Sequence, residues 1–215
     1  MTTGSSPEFS SQRMAETYEN RYGAAFWELF DTAVLPRLPD NPVVADLGCG
    51  PGVFLQDLSR RLPGATLYGS DVSQDMVDRA KMLDYGGATV ELTQQDLRQL
   101  PLPMADGSVD LVTVITVLCF IDDPFPILAE LRRVLKPDST FVLLDWVRHS
   151  LKDYLEGRAR AGGNEDHQHR MQRFPIHNRY TAEDWRWLLG QGHFEILAET
   201  APRESHRAFV AAPKS

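Results

Sequence analysis

The central part of the chain alternates between two hydrophobic patterns. Short, nearly continuous apolar runs are typical of buried strands, and the segments between them carry apolar residues at helical spacing. The runs predict strands at 43–47, 65–69, 89–92, 109–118 and 141–144, and two more at 194–198 and 207–211. Because strands that alternate with helices usually pair in parallel through right-handed crossovers, the pattern predicts an α/β fold.

Periodicity and capping residues predict the helices. Tyr18, Tyr22, Phe26 and Phe30 recur every four residues and indicate an N-terminal helix over 14–30. Further helices are predicted at 53–62, at 73–83 with Ser73 as its cap, from Pro124 to Lys136, and at 181–190 with Thr181 as its cap. Placed between the strands, these helices would cover both faces of a doubly wound, seven-stranded sheet.

One stretch interrupts this alternation. Residues 147–179 are polar, contain glycine and are rich in His and Arg, and we predict no regular element there. We therefore expect a single domain over 14–215, with a flexible leader at 1–13, an N-terminal cap helix at 14–30 and a lid-like insertion at 147–180. The final two strands would form a hairpin, which makes the sheet mostly parallel with an antiparallel last strand.

Charge and composition narrow the class of partner. The chain has 22 Lys and Arg against 30 Asp and Glu, a net charge of −8, which disfavours binding to a nucleic-acid backbone. Cys49 and Cys119 lack the spacing of a zinc site or a disulfide framework. No apolar run is long enough for a membrane span, and the first residues lack a signal-peptide pattern. We expect a cytoplasmic protein without nucleic-acid or membrane partners, and leave monomer and homodimer open.

The strongest local motif joins the first strand of the sheet to its following helix. It reads Asp46-Leu47-Gly48-Cys49-Gly50-Pro51-Gly52. Glycine permits backbone angles and close approaches that a Cβ forbids, and the N-terminus of the helix offers unpaired N–H groups to an anion. The motif predicts a ligand site, although tight strand-to-helix turns also use glycine for structure alone.

Acidic residues also follow the second and third strands. Asp71 lies where an acidic residue in a doubly wound sheet accepts hydrogen bonds from both hydroxyls of a ribose. Asp96 is placed to accept a hydrogen bond from the amino group of an adenine. Its alternative role is that of a loop or cap residue. With Asp46, three carboxylates follow three successive strands, which favours the ligand site over a structural turn.

The same motif distinguishes two nucleotide ligands. The dinucleotide fingerprint requires a glycine three places beyond its second glycine, and this chain has Val53 there. The carboxylate of Asp46 would repel a pyrophosphate but would attract an ammonium group. S-adenosylmethionine carries an ammonium, a carboxylate, a ribose and an adenine, and the sequence offers a partner for each.

On these motifs, the chain resembles the class I S-adenosylmethionine-dependent methyltransferases, and in particular their type 11 family. Further matches are Ser108-Val109-Asp110-Leu111-Val112 before the fourth strand and Leu131-Arg132-Arg133-Val134-Leu135-Lys136-Pro137 before the fifth. The resemblance implies a Rossmann-like fold that binds S-adenosylmethionine and releases S-adenosylhomocysteine. The residues it implies for the cofactor are Asp46, Gly48, Cys49, Gly50, Gly52, Asp71, Val72, Met76, Asp96, Leu97, Ile115, Tyr18 and Tyr22.

The resemblance has departures on the acceptor side. Cys119-Phe120 stands where many relatives have a His pair, so no base is evident there. Pocket candidates are residues 115–120 after the fourth strand and Asp145-Trp146 after the fifth. Trp146 is either a stacking platform for an aromatic substrate or a rim tryptophan that packs under the lid-like insertion. We expect the substrate to contact Phe120, Trp146, His177, Arg179 and Tyr180, with His177 as the candidate base. His167-x-His169 lacks a third ligand, so no metal is expected.

Three functions remain to be separated. The sequence favours a methyltransferase that acts on a small molecule by in-line displacement, with the accepting atom open. A non-catalytic module that binds S-adenosylmethionine for regulation would carry the same turn. A nicotinamide-dependent oxidoreductase would use the same sheet, but Asp46 and the missing glycine disfavour it.

Overall fold

The computed structural model describes residues 19–160 and 167–214. They form one seven-stranded sheet in the order β3-β2-β1-β4-β5-β7-β6. The strands are β1 (Val43–Leu47), β2 (Thr66–Asp71), β3 (Thr89–Gln94), β4 (Val109–Ile115), β5 (Leu135–Trp146), β6 (Phe194–Arg203) and β7 (His206–Pro213). Strands β1 to β5 pair in parallel, whereas β7 is antiparallel to both β5 and β6. The predicted Rossmann-like sheet is confirmed, including its hairpin.

Seven α-helices surround the sheet within the described residues. They are α1 (Glu19–Leu29), α2 (Val53–Arg61), α3 (Gln74–Ala80), α4 (Phe125–Val134), α5 (Leu151–Arg160), α6 (His167–His177) and α7 (Ala182–Gln191). A π-helical turn (Phe30–Val34) and a 3-10 turn (Leu35–Arg37) extend α1, and a second 3-10 turn (Leu118–Phe120) follows β4. None of the helices in these ranges is both long and apolar enough to cross a bilayer.

The sheet is buried on both faces because side chains alternate along each strand. On one face, Val112 and Phe141 belong to a core that includes Leu131 of α4 and Trp185 of α7. On the other face, Leu111 belongs to a core with residues of α1 and α2. Every residue of β4 is buried, as the continuous apolar run predicts.

Aromatic rings dock α1 on α2. The ring of Tyr22 stacks on Phe54 with centroids 4.9 Å apart, and Trp27 packs on the same ring. The guanidinium of Arg61 lies 4.0 Å from the ring centroid of Trp27. Gly23 interrupts the helical backbone with a φ of 60°. The predicted helix over 14–30 is therefore kinked, and its first residues, with Tyr18, lie outside the described residues.

The junction of α4 and β5 differs from the prediction. The helix ends at Val134 rather than Lys136, because Leu135 already pairs with Val109 at the start of the strand. An irregularity in register then separates this pair from the regular ladder. The Lys136 ammonium bridges both carboxylate oxygens of Asp110 at 2.8 Å, which holds the irregular segment against β4.

The prediction of an irregular insertion was wrong, since residues 147–179 contain α5 and α6. The missed signal is a capping pair at the start of α5. Ser150 Oγ accepts a hydrogen bond from Asp153 N at 3.1 Å and donates one to Asp153 Oδ2 at 2.6 Å. Such pairs satisfy N–H groups that a helix start leaves open. Thr181 and Asp184 form the predicted capping box of α7 in the same way.

Candidate functional site

The glycine turn packs tightly between two neighbouring segments. Its start is fixed by Ser70 O, which accepts hydrogen bonds from Gly48 N at 2.7 Å and Cys49 N at 2.8 Å. A Cβ on Gly48 would lie 2.2 Å from Val117 Cγ2, and a Cβ on Gly52 would lie 2.4 Å from the Tyr85 hydroxyl. Both glycines have positive φ, so their type is required by backbone angle and by close approach.

Asp71 ties this turn to the end of β2. Its Oδ2 accepts a hydrogen bond from Gly50 N at 2.9 Å, and its Oδ1 accepts one from Ser73 N at 2.9 Å. Desolvation raises the pKa of this carboxyl, and the two N–H donors partly offset the rise. Ser73 makes no side-chain cap to α3, contrary to the prediction. Because each carboxylate oxygen has a second lone pair, Asp71 can still accept hydrogen bonds from a ligand.

Asp46 is buried beside the turn, with 2% of its surface exposed. Thr113 on β4 donates a hydrogen bond of 2.6 Å to its Oδ1. Burial raises the pKa of Asp46 to about 7, the Thr113 hydrogen bond lowers it, and the charge of Asp71 raises it further. The two carboxylates therefore interact, and a cation between them would relieve their repulsion.

Asp96 lies at the same edge of the sheet but already has a partner. Both of its oxygens accept hydrogen bonds from Arg98, from Nε at 2.9 Å and from Nη2 at 2.7 Å. This guanidinium lowers the pKa of the carboxyl. Gln95 N donates to Asp71 O at 3.0 Å, so the loop carrying Asp96 is joined to the end of β2. The interaction with Arg98 was not anticipated, although the two residues are close in sequence.

The remaining cofactor candidates differ in exposure. Val72, next to Asp71, is 57% exposed, which leaves an apolar surface beside the carboxylate. The side chains of Cys49, Met76, Leu97, Ile115 and Tyr22 are all buried. Burial raises the pKa of the Cys49 thiol, so this residue offers a ligand its backbone rather than a thiolate.

Hydrogen bonds to residues of β5 hold the segment that follows β4. Thr116 N donates to Leu144 O at 2.6 Å, and Cys119 N donates to the buried carboxylate of Asp145 at 3.1 Å. The other oxygen of Asp145 accepts a hydrogen bond from Trp146 N at 2.7 Å. These bonds fix the 3-10 turn and leave Phe120 exposed at its end.

The five candidate substrate residues form two separate groups. In the first, the ring of His177 stacks on Trp146 with centroids 4.0 Å apart and planes 1° apart, and Phe120 meets His177 edge-on. His206 lies 4.1 Å from the same indole. Tyr154, which the sequence interpretation missed, lies 2.9 Å from His177 Nδ1 through its hydroxyl. The indole surface proposed for a substrate is thus occupied by His177 in this structure.

The second group joins the end of the insertion to the core. Arg179 donates hydrogen bonds to Ile121 O and to Asp122 Oδ1. The ring of Tyr180 packs 4.6 Å from Trp185. Both side chains have structural partners beside the candidate pocket. Within the ranges 19–160 and 167–214, no group of three or more His, Cys, Asp or Glu side chains is arranged to hold a metal ion.

The chain is similar in sequence to known methyltransferases. A family model described as a methyltransferase domain, of type 11, matches residues 45–143. The ubiquinone/menaquinone biosynthesis C-methyltransferase of Desulfotalea psychrophila is 35% identical over 50% of this chain and 42% of its own length. The trans-aconitate 2-methyltransferase of Azoarcus sp. is 36% identical over 51% of this chain and 42% of its own. The chain therefore spans less than half the length of these curated relatives.

The fold comparison covers nearly the whole chain. A solved S-adenosylmethionine-dependent methyltransferase from Aquifex aeolicus superposes with a TM-score of 0.69 over 94% of this chain and 97% of its own, at 18% identity. The matched family segment contains the glycine turn, Asp71, Asp96 and the end of β4. The two carboxylates and the close-packed turn fit the ammonium and ribose of the family's cofactor, S-adenosylmethionine. Residues 45–143 thus match the type 11 family of methyltransferase domains, and the fold of the described residues is that of the solved S-adenosylmethionine-dependent methyltransferase.

Proposed function

We propose that this protein binds S-adenosylmethionine at the carboxyl edge of β1 and β2 and transfers its methyl group to a small molecule. One observation carries the proposal. Asp46 is a buried carboxylate that repels its neighbour Asp71, and both lie beside a turn with no room for side chains at Gly48 and Gly52. An ammonium group next to a ribose matches this arrangement, whereas a pyrophosphate would add negative charge.

Each part of the cofactor has an assigned partner. Asp46 would hold the ammonium, and Asp71 the ribose hydroxyls. The N–H groups at the start of α2 would face the carboxylate. Exposed Val72 would border the adenine, together with Met76 and Leu97. Asp96 would accept a hydrogen bond from the adenine amino group while its oxygens also accept hydrogen bonds from Arg98.

The protein's contribution to the reaction is mainly positional. Bound S-adenosylmethionine supplies a methyl group that its positive sulfur activates. Transfer to the acceptor would leave the carbon–sulfur electron pair on sulfur as the acceptor's lone pair bonds the methyl carbon. Residues 115–120 and the end of β5 would hold the acceptor in line with that bond. Positioning of this kind supplies roughly 7–11 kcal/mol of barrier lowering.

We assign the acceptor site to the space between the β4 segment and the insertion, and the acceptor to the class of small molecules. The relatives act on different compounds, one in quinone biosynthesis and one on trans-aconitate, so similarity to them does not select one acceptor. His177 is the candidate base, because its ring is buried beside Phe120 and Trp146. If His177→Ala turns over the true acceptor at the wild-type rate across the pH range, His177 is not the base.

Two alternatives make different predictions. A regulatory module would bind S-adenosylmethionine without ever releasing S-adenosylhomocysteine. An oxidoreductase would bind NADH, which a fluorescence titration detects. The deciding experiment incubates the protein with methyl-labelled S-adenosylmethionine and panels of phenols, amines, thiols and carboxylates. Labelled product with stoichiometric S-adenosylhomocysteine supports the proposal, and cofactor binding without turnover of any panel supports the regulatory module.

A further inference from the structure

Thr116 has a strained backbone at the centre of the sheet edge. It is the first residue after β4, and its φ is +54°. A β-branched residue in this left-handed region is a genuine outlier, because its Cβ crowds the backbone. Thr116 N donates to Leu144 O at 2.6 Å, which holds the residue in this conformation. Strained residues of this kind concentrate at functional sites.

The position of Thr116 is that of the topological switch point. Strands β1 and β4 are neighbours, and the chain leaves them towards opposite sides of the sheet. Ligands of doubly wound sheets bind in the crevice outside the strand ends at this point. The next residue, Val117, packs directly on Gly48, so the strained turn and the glycine turn form adjoining walls.

The side chain of Thr116 has no internal role that explains its presence. Among the described residues its hydroxyl makes no hydrogen bond, and the residue is only partly buried. Glycine or asparagine would adopt the same backbone at lower cost. The nearby Thr113, by contrast, uses its hydroxyl to bind Asp46. The Thr116 hydroxyl therefore has no hydrogen-bond partner within the part of the chain that the structure describes, and the residue lies at the switch point.

We propose that the Thr116 hydroxyl contacts the methyl-bearing sulfur end of bound S-adenosylmethionine and makes the site prefer this cofactor over its demethylated product. The inference rests on the proposed function. A methyl group on a positive sulfur has polarised C–H bonds, for which a hydroxyl oxygen is a weak hydrogen-bond acceptor. S-adenosylhomocysteine lacks both the methyl group and the charge, so it would gain nothing from this contact.

The test measures the ratio of the two dissociation constants by titration calorimetry, and needs no acceptor. In Thr116→Val, which keeps the shape and removes the hydroxyl, the preference for S-adenosylmethionine should fall by about two- to fivefold. Thr116→Gly should show the same fall, with a melting temperature equal to or above that of the wild type. Thr116→Ser, which keeps the hydroxyl, should retain the wild-type ratio.

His193 provides the matched control for strain. It also has a positive φ, of 59°, but lies exposed after α7, away from the sheet edge described above. His193→Gly should leave the ratio unchanged. If Thr116→Val and Thr116→Gly both keep the wild-type ratio, Thr116 does not contact the methyl end and the inference fails. If the wild-type protein binds neither compound, the proposed function itself fails.

Discussion

The hydroxyl of Thr113 donates a 2.6 Å hydrogen bond to the buried carboxylate of Asp46, and this bond joins β4 to β1 at the carboxyl edge of the sheet. One hydrogen bond to a charged acceptor does not offset the cost of removing that carboxylate from water. The pKa of Asp46 accordingly stays raised, at about 7. The free site therefore gains from a ligand that brings positive charge.

Cofactor affinity should depend on pH through Asp46. The ammonium of the ligand requires the ionised carboxylate of Asp46. Because the pKa of this carboxyl is about 7, it is mostly protonated in the free protein at lower pH. The affinity for S-adenosylhomocysteine should then fall by up to about tenfold for each pH unit below 7. Calorimetry between pH 5 and 8 measures the slope. Asp46→Asn should bind more weakly and without this slope, and an equal slope in the variant would rule out Asp46 as its source.

The same carboxyl should lower stability at high pH. Its folded pKa is raised from 3.8 to about 7, so the unfolded state ionises first and stability falls as pH rises between these values. The full loss is on the order of 4 kcal/mol above pH 7. Urea denaturation of Asp46→Asn should give a larger free energy of unfolding than the wild type at pH 8, with a smaller advantage at pH 5. An advantage that does not change with pH would contradict this account.

Gly52 should not tolerate a side chain. Alanine there would require a φ of +81° and would bring its Cβ within 2.4 Å of the Tyr85 hydroxyl and 2.7 Å of Ala80 Cβ. We expect Gly52→Ala to cost at least about 2 kcal/mol, from strain and overpacking together. Thermal denaturation would show this as a loss of several degrees. Gly87→Ala is the control, because a Cβ there meets no atom within 4 Å. Equal melting temperatures for the two variants would refute the packing argument.

Asp145 should stabilise the segment after β4. Its side chain is fully buried and accepts hydrogen bonds from Cys119 N and Trp146 N. Asp145→Ala would leave these donors without an acceptor, at about 1–3 kcal/mol each. Urea denaturation should therefore show a free energy of unfolding lower by roughly 2–6 kcal/mol. Asp122→Ala, which removes a carboxylate with a side chain 98% exposed, should change stability by less than about 0.5 kcal/mol. A similarly small effect for Asp145→Ala would show that these two hydrogen bonds do not stabilise the fold.

The strands could be predicted from the sequence where a continuous apolar run marks a buried strand. β1 lies at 43–47 as expected, and β4 was expected to reach Leu118 because the apolar run continues past Ile115. Its actual end is set by the positive φ of Thr116, which hydropathy does not reveal. The insertion was misjudged because α5 and α6 are largely polar, so periodicity is weak while the cap at Ser150 is clear.

The site was predictable in its motifs but not in its pairings. Asp46 and Asp71 were predicted as site residues from the sequence, and in the structure they lie at the ends of β1 and β2. The hydrogen bond from Thr113 to Asp46 spans 67 residues of sequence, and the stack of His177 on Trp146 joins two separate elements. Such contacts depend on the assembled sheet and leave no local pattern. The pairing of Asp96 with Arg98 was local and could have been considered.

The most direct test of the account is a calorimetric titration of the wild-type protein and Asp71→Asn with S-adenosylhomocysteine. We predict micromolar binding to the wild type. In the variant, the loss of a charged acceptor for two ribose hydroxyls should weaken binding by at least about tenfold, since each such bond contributes roughly 1.5–3 kcal/mol. Absence of heat with the wild type, for this compound and for S-adenosylmethionine, would contradict the proposed cofactor site.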